Sequence, residues 1–301
     1  MQKNNITVII PMRNEIRHIE RSVTSALDLT PHVYVVDSGS TDGSIEVAKS
    51  LGAEVFQYEW TSSSNFSTKI NWALNNLPIK TDWAIRLDAD EYFMDNCIQN
   101  LNQELCKVPN DVNGITLIRR IYFMGKWMKH SAEYPKTSMR IYRVGHVEME
   151  SRWLDEHVDV KNGRSLDFPY DIVDDSRIPI SEWISKHNNY STKEAIELIH
   201  QEIGLFNREE MNLDRNARRK KDLKAKYLSM PRYWRCFVWF FYREFIKLGF
   251  LDGKEGFMWN FLQGLWYRML ADAKVDEIYK ACGKDKVAIR KYILETYGLN
   301  I

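Results

Sequence analysis

Apolar and polar positions along the first third of the chain alternate between two periods. Residues 6–11 (ITVIIP) form a short β-branched run of the kind that makes a buried parallel strand. Ile16, Ile19, Val23 and Leu27 then recur at helical spacing. Residues 32–37 (HVYVVD) read as a second strand, closing in the turn Ser38-Gly39-Ser40-Thr41-Asp42-Gly43. Ile45, Ala48 and Leu51 mark the next helix, and Gly52 stands where a left-handed C-terminal cap belongs. Residues 54–58 predict a third strand, and Phe66, Ile70, Ala73 and Leu77 a third helix face. Residues 83–87 predict a fourth strand running into Asp88-Ala89-Asp90-Glu91. Asp95 then suits the N-cap of a helix carrying Ile98, Leu101 and Leu105. Strands and helices in this succession predict an α/β fold with a doubly wound sheet.

From residue 114 the pattern changes. Residues 114–123, 139–144, 158–161 and 166–172 read as strands with turns between them, and from about residue 176 the chain reads as helical throughout. Residues 208–235 carry ten Lys or Arg against four Asp or Glu, and 233–267 are thick with aromatics. No internal repeat or low-complexity linker interrupts the chain, so the helical part is expected to pack on the α/β part.

Composition narrows the classes. Three hundred and one residues suffice for one large domain or a domain with an appendage. With 44% hydrophobic and 28% charged residues the chain is not disordered as a whole. Forty-two basic against 41 acidic residues leave a net charge of +1, which excludes a globally basic nucleic-acid binder. Cysteines 97, 106, 236 and 282 show neither a CxxC nor a Cys/His ligand spacing, so neither a zinc site nor a disulfide scaffold is expected, and a reduced cytoplasmic compartment is the simple reading. The opening MQKNNITVIIPMRNE turns polar too soon for a signal peptide. No uninterrupted apolar stretch approaches the roughly 18 residues of a spanning helix.

The chemistry gathers at strand ends, where open α/β sheets bind ligands. Arg13-Asn14-Glu15 follows the first strand, residues 37–43 the second and residues 88–91 the fourth. One such cluster is explained by an ordinary solvated loop; three, each closing a strand, point to a site. In Asp88-Ala89-Asp90 a turn can bring both carboxylates towards one cation, and hard oxygen ligands suit Mg2+ or Mn2+, ions that bridge a protein to a diphosphate. Asp37 is placed to accept from a base N–H or a ribose hydroxyl, and the small residues after it allow close backbone approach. Neither GxxxxGK[ST] nor GxGxxG occurs. Downstream, Asp155-Glu156-His157 offers a carboxylate to take a proton from a hydroxyl and an imidazole able to bind Mn2+; a polar hairpin end is the bland alternative.

In chain order, IIPMRNE, VVDSGSTDGS, KINWAL, LDADE and LDEHV resemble a family 2 glycosyltransferase of the GT-A fold, and within it the bacterial lipopolysaccharide-core and capsule β-glycosyltransferases. FMGKWMKHSAEYPKTSMRIYR, WISKHNNYSTKEA and GFLDGKEGFMWNFLQGLWYR extend the likeness, which covers residues 6–172 with specific motifs and 181–272 more loosely. The resemblance implies a Rossmann-like mixed sheet flanked by helices over 1–175, with the nucleotide-sugar part in 1–112 and the acceptor part in 113–175. A helical C-terminal region would follow over 176–301. It implies a nucleotide-sugar donor, a UDP-sugar first, a divalent metal and an inverting transfer to a saccharide or lipid-linked saccharide. Carried over by motif, Pro11, Arg13, Asn14 and Glu15 line the base and ribose. Asp37 binds uracil or ribose with Ser38 and Gly39 beside it, and Lys69 approaches the nucleotide or its phosphates. Asp88 holds the ribose side and Asp90 the metal, with Asp88 and His157 as further metal candidates; Glu156 is the general base with Asp155 second. The order Asp-Glu-His departs from the His-Glu-apolar order of that group.

Other expectations concern surfaces. Tyr122, Phe123, Trp127 and Trp153 are candidates for stacking on sugars, and Arg119, Arg120, Lys126 and Lys129 for meeting an anionic acceptor. Residues 215–226, strongly basic, and 234–251, where Trp, Phe and Tyr interleave with Arg and Lys, suit peripheral association with the cytoplasmic face of an inner membrane. Two rivals stand beside the transferase reading. A sugar-phosphate nucleotidyltransferase is disfavoured because PMRNE lacks glycine, and nucleic-acid binding through residues 208–235 is disfavoured because no reading motif accompanies them.

Overall fold

The computed structural model describes residues 5–61, 64–150, 158–206 and 225–301. They fall into two compact units. The first holds residues 5–60, 66–150 and 158–177; the second holds the residues from 178 onward together with Thr61, Ser64 and Asn65.

In the first unit the chain runs β1 (Ile6–Met12), α1 (Ile19–Leu29), β2 (Val33–Asp37), α2 (Ser44–Leu51), β3 (Glu54–Gln57), α3 (Phe66–Asn76) and β4 (Trp83–Arg86). After these come β5 (Glu91–Phe93), α4 (Asp95–Leu105), β6 (Val112–Phe123), β7 (Lys126–Trp127), β8 (Lys136–Arg143), β9 (Val147–Met149), β10 (Val158–Val160) and β11 (Arg164–Asp175). The main sheet has the order β3-β2-β1-β4-β8-β6-β11-β5, with β7 paired to β6; β9 and β10 form a separate hairpin. β1 is parallel to β2 and β4, whereas β8 runs antiparallel to β4. The sheet is therefore mixed, as the GT-A resemblance implies.

Every residue of β1 is buried because helices cover both faces of the sheet. Val8, Ile10 and Met12 belong to a core with Val23, Ala26 and Leu29 of α1 and Leu101 of α4. Ile9, one position out of phase, packs instead with Tyr34, Val36, Ala73 and Ala84.

Several local expectations need correction. Ile16 precedes α1 and is exposed, since a turn at residues 15–18 delays the helix. Met94, not Asp95, is the N-cap of α4; the Asp95 carboxylate makes no capping bond and simply sits in the first turn, where the helix dipole favours it. The later strands are longer than their apolar cores, because pairing carries β6 back to Val112 and β11 on to Asp175. β5 and β7 are too short to leave a periodic signal. Gly52 does cap α2 in the left-handed conformation, at φ 103°.

The second unit is helical among its described residues. Its elements are α5 (Ile180–Ile203), α6 (Trp234–Phe241) continued by a π turn (Tyr242–Ile246), a 3-10 turn (Gly249–Asp252), α7 (Gly253–Trp259) continued by a π segment (Asn260–Trp266), α8 (Tyr267–Cys282) and α9 (Lys286–Tyr297). Ile196 and Ile199 of α5, Val275 and Ile278 of α8, and Ile289 and Ile293 of α9 form its core. Among the described residues no helix is long and apolar enough to cross a membrane.

Ile10 is fully buried in the middle of the sheet. Ile10→Ala is expected to cost about 2–5 kcal/mol, the usual range for emptying a buried aliphatic site. Urea unfolding followed by circular dichroism checks it, with a lower midpoint at unchanged slope.

Candidate active site

The site begins where β1 and β4 part. Val8 N–H donates to His32 O on the β2 side, whereas Ile9 O accepts from Leu87 N on the β4 side at 3.0 Å. By that alternation Pro11 is the next position facing β4, and it has no N–H to give. The β1–β4 register accordingly stops at Ile9↔Arg86, while β1–β2 continues to Met12↔Asp37. A crevice at such a switch point is where an open α/β sheet takes its ligand.

Two loops border it and are laced together. Asn14, in the left-handed conformation at φ 56°, donates its N–H to Ser40 Oγ (2.8 Å) and accepts from Thr41 N at Oδ1 (2.8 Å). Glu15 N–H donates to Ser44 Oγ at 2.9 Å, and Ile16 N–H to Asp42 Oδ2 at 3.0 Å. Asp37 is fully buried and spends its carboxylate on the turn it begins: Oδ2 accepts from Gly39 N (2.9 Å) and Ser40 N (3.0 Å), and Oδ1 from Ser40 Oγ. Gly39 sits at φ 82°, a conformation that L side chains rarely adopt. The Ser38 hydroxyl is buried with no hydrogen-bond partner among the described residues.

Lys69 enters from α3 and is only 4% exposed. Its Nζ donates to Met12 O at 2.9 Å, the carbonyl that also accepts from Ser38 N at 3.1 Å. Burial pushes the Lys69 amine down to about 8; the charges of Asp37, Asp88 and Glu15 pull it up and that of Arg13 pushes it further down. One amine thus senses all three strand-end clusters. Glu15 is held in turn by His18, whose Nδ1 lies 2.7 Å from Glu15 Oε2. His18 Nε2 accepts from Arg177 N at 2.9 Å, so the ring proton sits on Nδ1 and is donated to Glu15.

The end of β4 carries a charge cluster. Asp88 accepts from Arg86 at both oxygens (3.1 and 3.3 Å) and from Arg140 Nη2 at Oδ2 (3.2 Å). Its N–H donates to Glu91 Oε2 at 3.0 Å, and Glu91 Oε1 accepts from Arg140. Arg119 pairs with Asp174 and lies 3.5 Å from Glu91. Three carboxylates therefore face three guanidiniums drawn from β4, β5, β6, β8 and β11. Burial raises the Asp88 carboxyl, but Arg140 and Arg86 outweigh it and hold the group well below the usual carboxylate range. Burial pushes Glu91 up and Arg140 opposes it. Asp90 is half-buried, and its carbonyl accepts from Asp175 N (3.1 Å) and Arg21 Nη2 (3.3 Å).

The structure thus brings Arg13, Asn14, Glu15, Asp37, Ser38, Gly39, Lys69, Asp88 and Asp90 to neighbouring ends of β1, β2 and β4. Pro11 is a buried strand residue. Asp155, Glu156, His157 and Trp153 lie outside the described residues. Some surface expectations fail. Phe123 is buried, and the half-buried Trp127 ring already carries two cations, Arg120 at 4.4 Å and Lys129 at 4.7 Å from its centroid. Arg119 and Arg120 are taken by Asp174 and Asp171 instead of standing in solvent. Reading for motifs passed over Arg86, Arg140 and His18, and gave Glu91 no role of its own within the cluster at 88–91. A charge inside an apolar strand, as in WAIRL and SMRIY, was the available signal, because a buried charge must be paired.

The model of the family described as "Glycosyl transferase family 2" matches residues 7–160, more than half of the chain and all of the strand-end clusters. The chain belongs to glycosyl transferase family 2. Among its relatives in the family, a glycosyltransferase of Rickettsia bellii is 36% identical over 89 residues, 29% of this chain and 28% of that one. The match therefore spans under a third of that relative's length. The lipopolysaccharide core biosynthesis glycosyltransferase LpsC of Rhizobium meliloti is 26% identical over 203 residues, covering 63% of this chain and 70% of LpsC. Among solved structures, the glucosyl-3-phosphoglycerate synthase of Mycobacterium tuberculosis in complex with Mg2+ and uridine diphosphate aligns over 59% of this chain and 73% of its own, with 13% identity and a TM-score of 0.41.

Arg140→Met leaves the buried Glu91 and the half-buried Asp88 without their shared cation. We expect a loss of about 3–5 kcal/mol, and the double variant with Glu91→Leu should recover most of it, because a removed pair costs less than a broken one. The Asp88 contribution is fully present above its unfolded value near 3.8 and is lost as pH falls through the lower folded value. Denaturant melts of both variants between pH 3 and 7 check the pattern; equal stability of the wild type and Arg140→Met would contradict it.

Proposed function

We propose that this family member is an inverting glycosyltransferase. It would move a sugar from a nucleoside-diphosphate donor, a UDP-sugar first, to a hydroxyl of a bacterial surface-polysaccharide or lipopolysaccharide-core acceptor. Family membership supports the reaction class, and the relative whose name specifies lipopolysaccharide core biosynthesis supports the acceptor class. The observation that carries the reading is the buried Lys69 amine on the Met12 carbonyl, within electrostatic reach of Asp37 and Asp88. A lone buried amine of this kind gains most from an anionic ligand, and a diphosphate is such a ligand.

In this reading the loops at 13–15 and 37–40 take the base and ribose. The unpartnered Ser38 hydroxyl offers them a hydrogen bond. Asp88, fixed by Arg86 and Arg140, presents a rigid carboxylate on the ribose side. Lys69 meets the phosphates. A divalent cation, Mn2+ or Mg2+, suits the hard oxygens of Asp90 and Asp88. Among the described residues no group of three or more His, Cys, Asp or Glu side chains could hold a metal. One or two carboxylates completed by substrate phosphates is the ordinary arrangement for Mg2+, so the donor set fits. Bound there, with His157 as the further candidate, the ion would neutralise charge on the departing diphosphate.

Glu156, with Asp155 second, is the proposed base. It takes the proton from the acceptor hydroxyl as that oxygen bonds to the anomeric carbon. The bond from that carbon to the diphosphate oxygen breaks on the opposite face, and the configuration inverts.

Thermal-shift titration with UDP- and GDP-sugars, with Mn2+, Mg2+ or EDTA, tests the donor side. One sugar nucleotide should raise the melting temperature, and EDTA should abolish the shift. A phosphate ligand favours protonated Lys69, so donor affinity should fall as pH rises through about 8. Lys69→Met should bind roughly 10–100-fold more weakly, the worth of a hydrogen bond to a charged group, and lose this pH dependence. No shift with any sugar nucleotide, or a pH profile unchanged in Lys69→Met, would refute the assignment.

Glu156→Gln tests the acceptor side separately. Turnover should drop by about 10²–10⁴-fold, the usual worth of general-base help, with donor binding unchanged. Near-native turnover would remove Glu156 from the role and turn attention to Asp155.

A further inference from the structure

The second unit contains a helical hairpin with polar groups buried inside it and apolar side chains exposed outside. In a hairpin bathed by water, apolar side chains face inward and charged ones outward. Here α6 with its π turn packs against α7 and its π segment through buried polar groups as well as through the Phe240–Phe257 ring contact. Asn260 Nδ2 donates to Glu244 Oε2 at 2.6 Å, and both residues are buried. Arg235 is buried against Asp272 of α8, and Arg243 and Asp252 are buried as well. The outside is apolar: Trp234 and Ile246 are each 71% exposed, and Phe241, Phe245, Phe250 and Leu251 about half.

These exposed side chains form a line. Positions 234, 238, 241 and 245 follow one another at spacings of three and four, one stripe along the first helix. Phe257 and Phe261 continue an exposed apolar edge on the second. The charges that remain outside have one sign. Between residues 233 and 261 the exposed ones are Lys247 and Lys254, whereas Glu244 and Asp252 are buried and Glu255 is half-buried beside Lys254. In sequence, residues 208–233 just before the hairpin add nine basic against four acidic residues.

We propose that this hairpin, residues 234–261, is a lipid-binding surface that lies in the plane of an anionic bilayer with its apolar stripe in the headgroup and acyl boundary. Three observations select a bilayer over a protein partner. Aromatic and aliphatic side chains project along one stripe, and no acidic residue between 233 and 261 is exposed to give a polar rim of mixed charge, whereas protein interfaces carry one. The only exposed charges are lysines, which anionic headgroups attract. The stripe runs along the helix, and no helix of the described residues can span a membrane, so the contact is interfacial. The inference is independent of sugar transfer: donor binding by the first unit can hold while lipid binding fails, and the reverse.

The test is flotation of the full chain with phosphatidylcholine vesicles and with vesicles in which part of that lipid is replaced by phosphatidylglycerol. We expect binding to the anionic vesicles and weaker binding to the neutral ones. Phe245→Asp and Ile246→Asp should each lower the bound fraction at limiting lipid about tenfold, because each carries a charge into the apolar boundary. Both positions are exposed, so the melting temperature should stay within a degree or two of wild type, roughly what a neutral surface change gives. Three results would overturn the proposal. The first is no flotation with either vesicle. The second is flotation unchanged by both substitutions. The third is a lipid-free dimer in sedimentation equilibrium that Phe245→Asp dissociates, which would make a second copy of the chain the occupant of the stripe.

Discussion

The strand-end site depends on one buried cation. Arg140 reaches from β8 to Asp88 and Glu91 together, and its side chain is about 1% exposed. Burial already pushes the Glu91 carboxyl up, and without Arg140 it would lose the main charge that opposes this. With it, and with Arg86 on the other flank, Asp88 stays ionised and fixed in direction. The register of the sheet makes this possible. Ile85 of β4 pairs with Ile141 of β8, so Arg140, the next residue along β8, falls beside the end of β4. The β4–β8 register is thus tied to the chemistry, because it sets a mid-strand arginine at a strand terminus.

A second constraint acts on β1. Pro11 lacks the N–H that would extend the ladder to β4, so the strands separate at the carboxyl end while β1 and β2 stay paired to Met12 and Asp37. The carbonyl of Met12 then becomes the fixed point for the interior: Ser38 N–H and Lys69 Nζ both donate to it. Polar groups that would otherwise be unpaired in the crevice are satisfied by the two loops, which hold each other through Asn14, Ser40 and Ser44. The walls are thus preorganised around one desolvated amine, held on the Met12 carbonyl.

The alternation of β-branched runs with helical spacing made β1 to β4 and α1 to α3 legible from residue types alone, to within a residue or two at most ends. That follows from burial on both faces, which forces near-continuous apolar strands. The strand-end clusters were legible for the same reason, since polar residues that stop an apolar run mark where the chain leaves the sheet. Arg140 and Glu91 were not legible as partners. They are distant from each other in sequence, and their pairing depends on the order of β5, β8 and β11 in the sheet, which no local pattern encodes. Arg119 and Arg120 looked like surface cations because their partners, Asp174 and Asp171, also come from a distant strand. The Asp95 cap failed for a local reason, as Met94 holds the extended conformation one residue earlier.

The C-terminal stretch shows how composition can mislead about which side is inside. Ten tryptophans and many phenylalanines suggest core when counted. In residues 234–261 the stripe of Trp234, Phe241 and Phe245 faces outward, and the helix-to-helix contact joins Glu244 to Asn260 beside the Phe240–Phe257 ring pair. Both halves of the hairpin depart from regular α-helix into π turns, at Tyr242–Ile246 and Asn260–Trp266. Each π turn contains or adjoins a buried polar residue, Glu244 in the first and Asn260 at the start of the second. The exposed stripe keeps its spacing of three and four from Trp234 through Phe245, so the outward face follows from residue order alone. The polar residues that pair inside fall between its members, as Glu244 does between Phe241 and Phe245, and this interleaving puts a polar seam and an apolar exterior on one short helix.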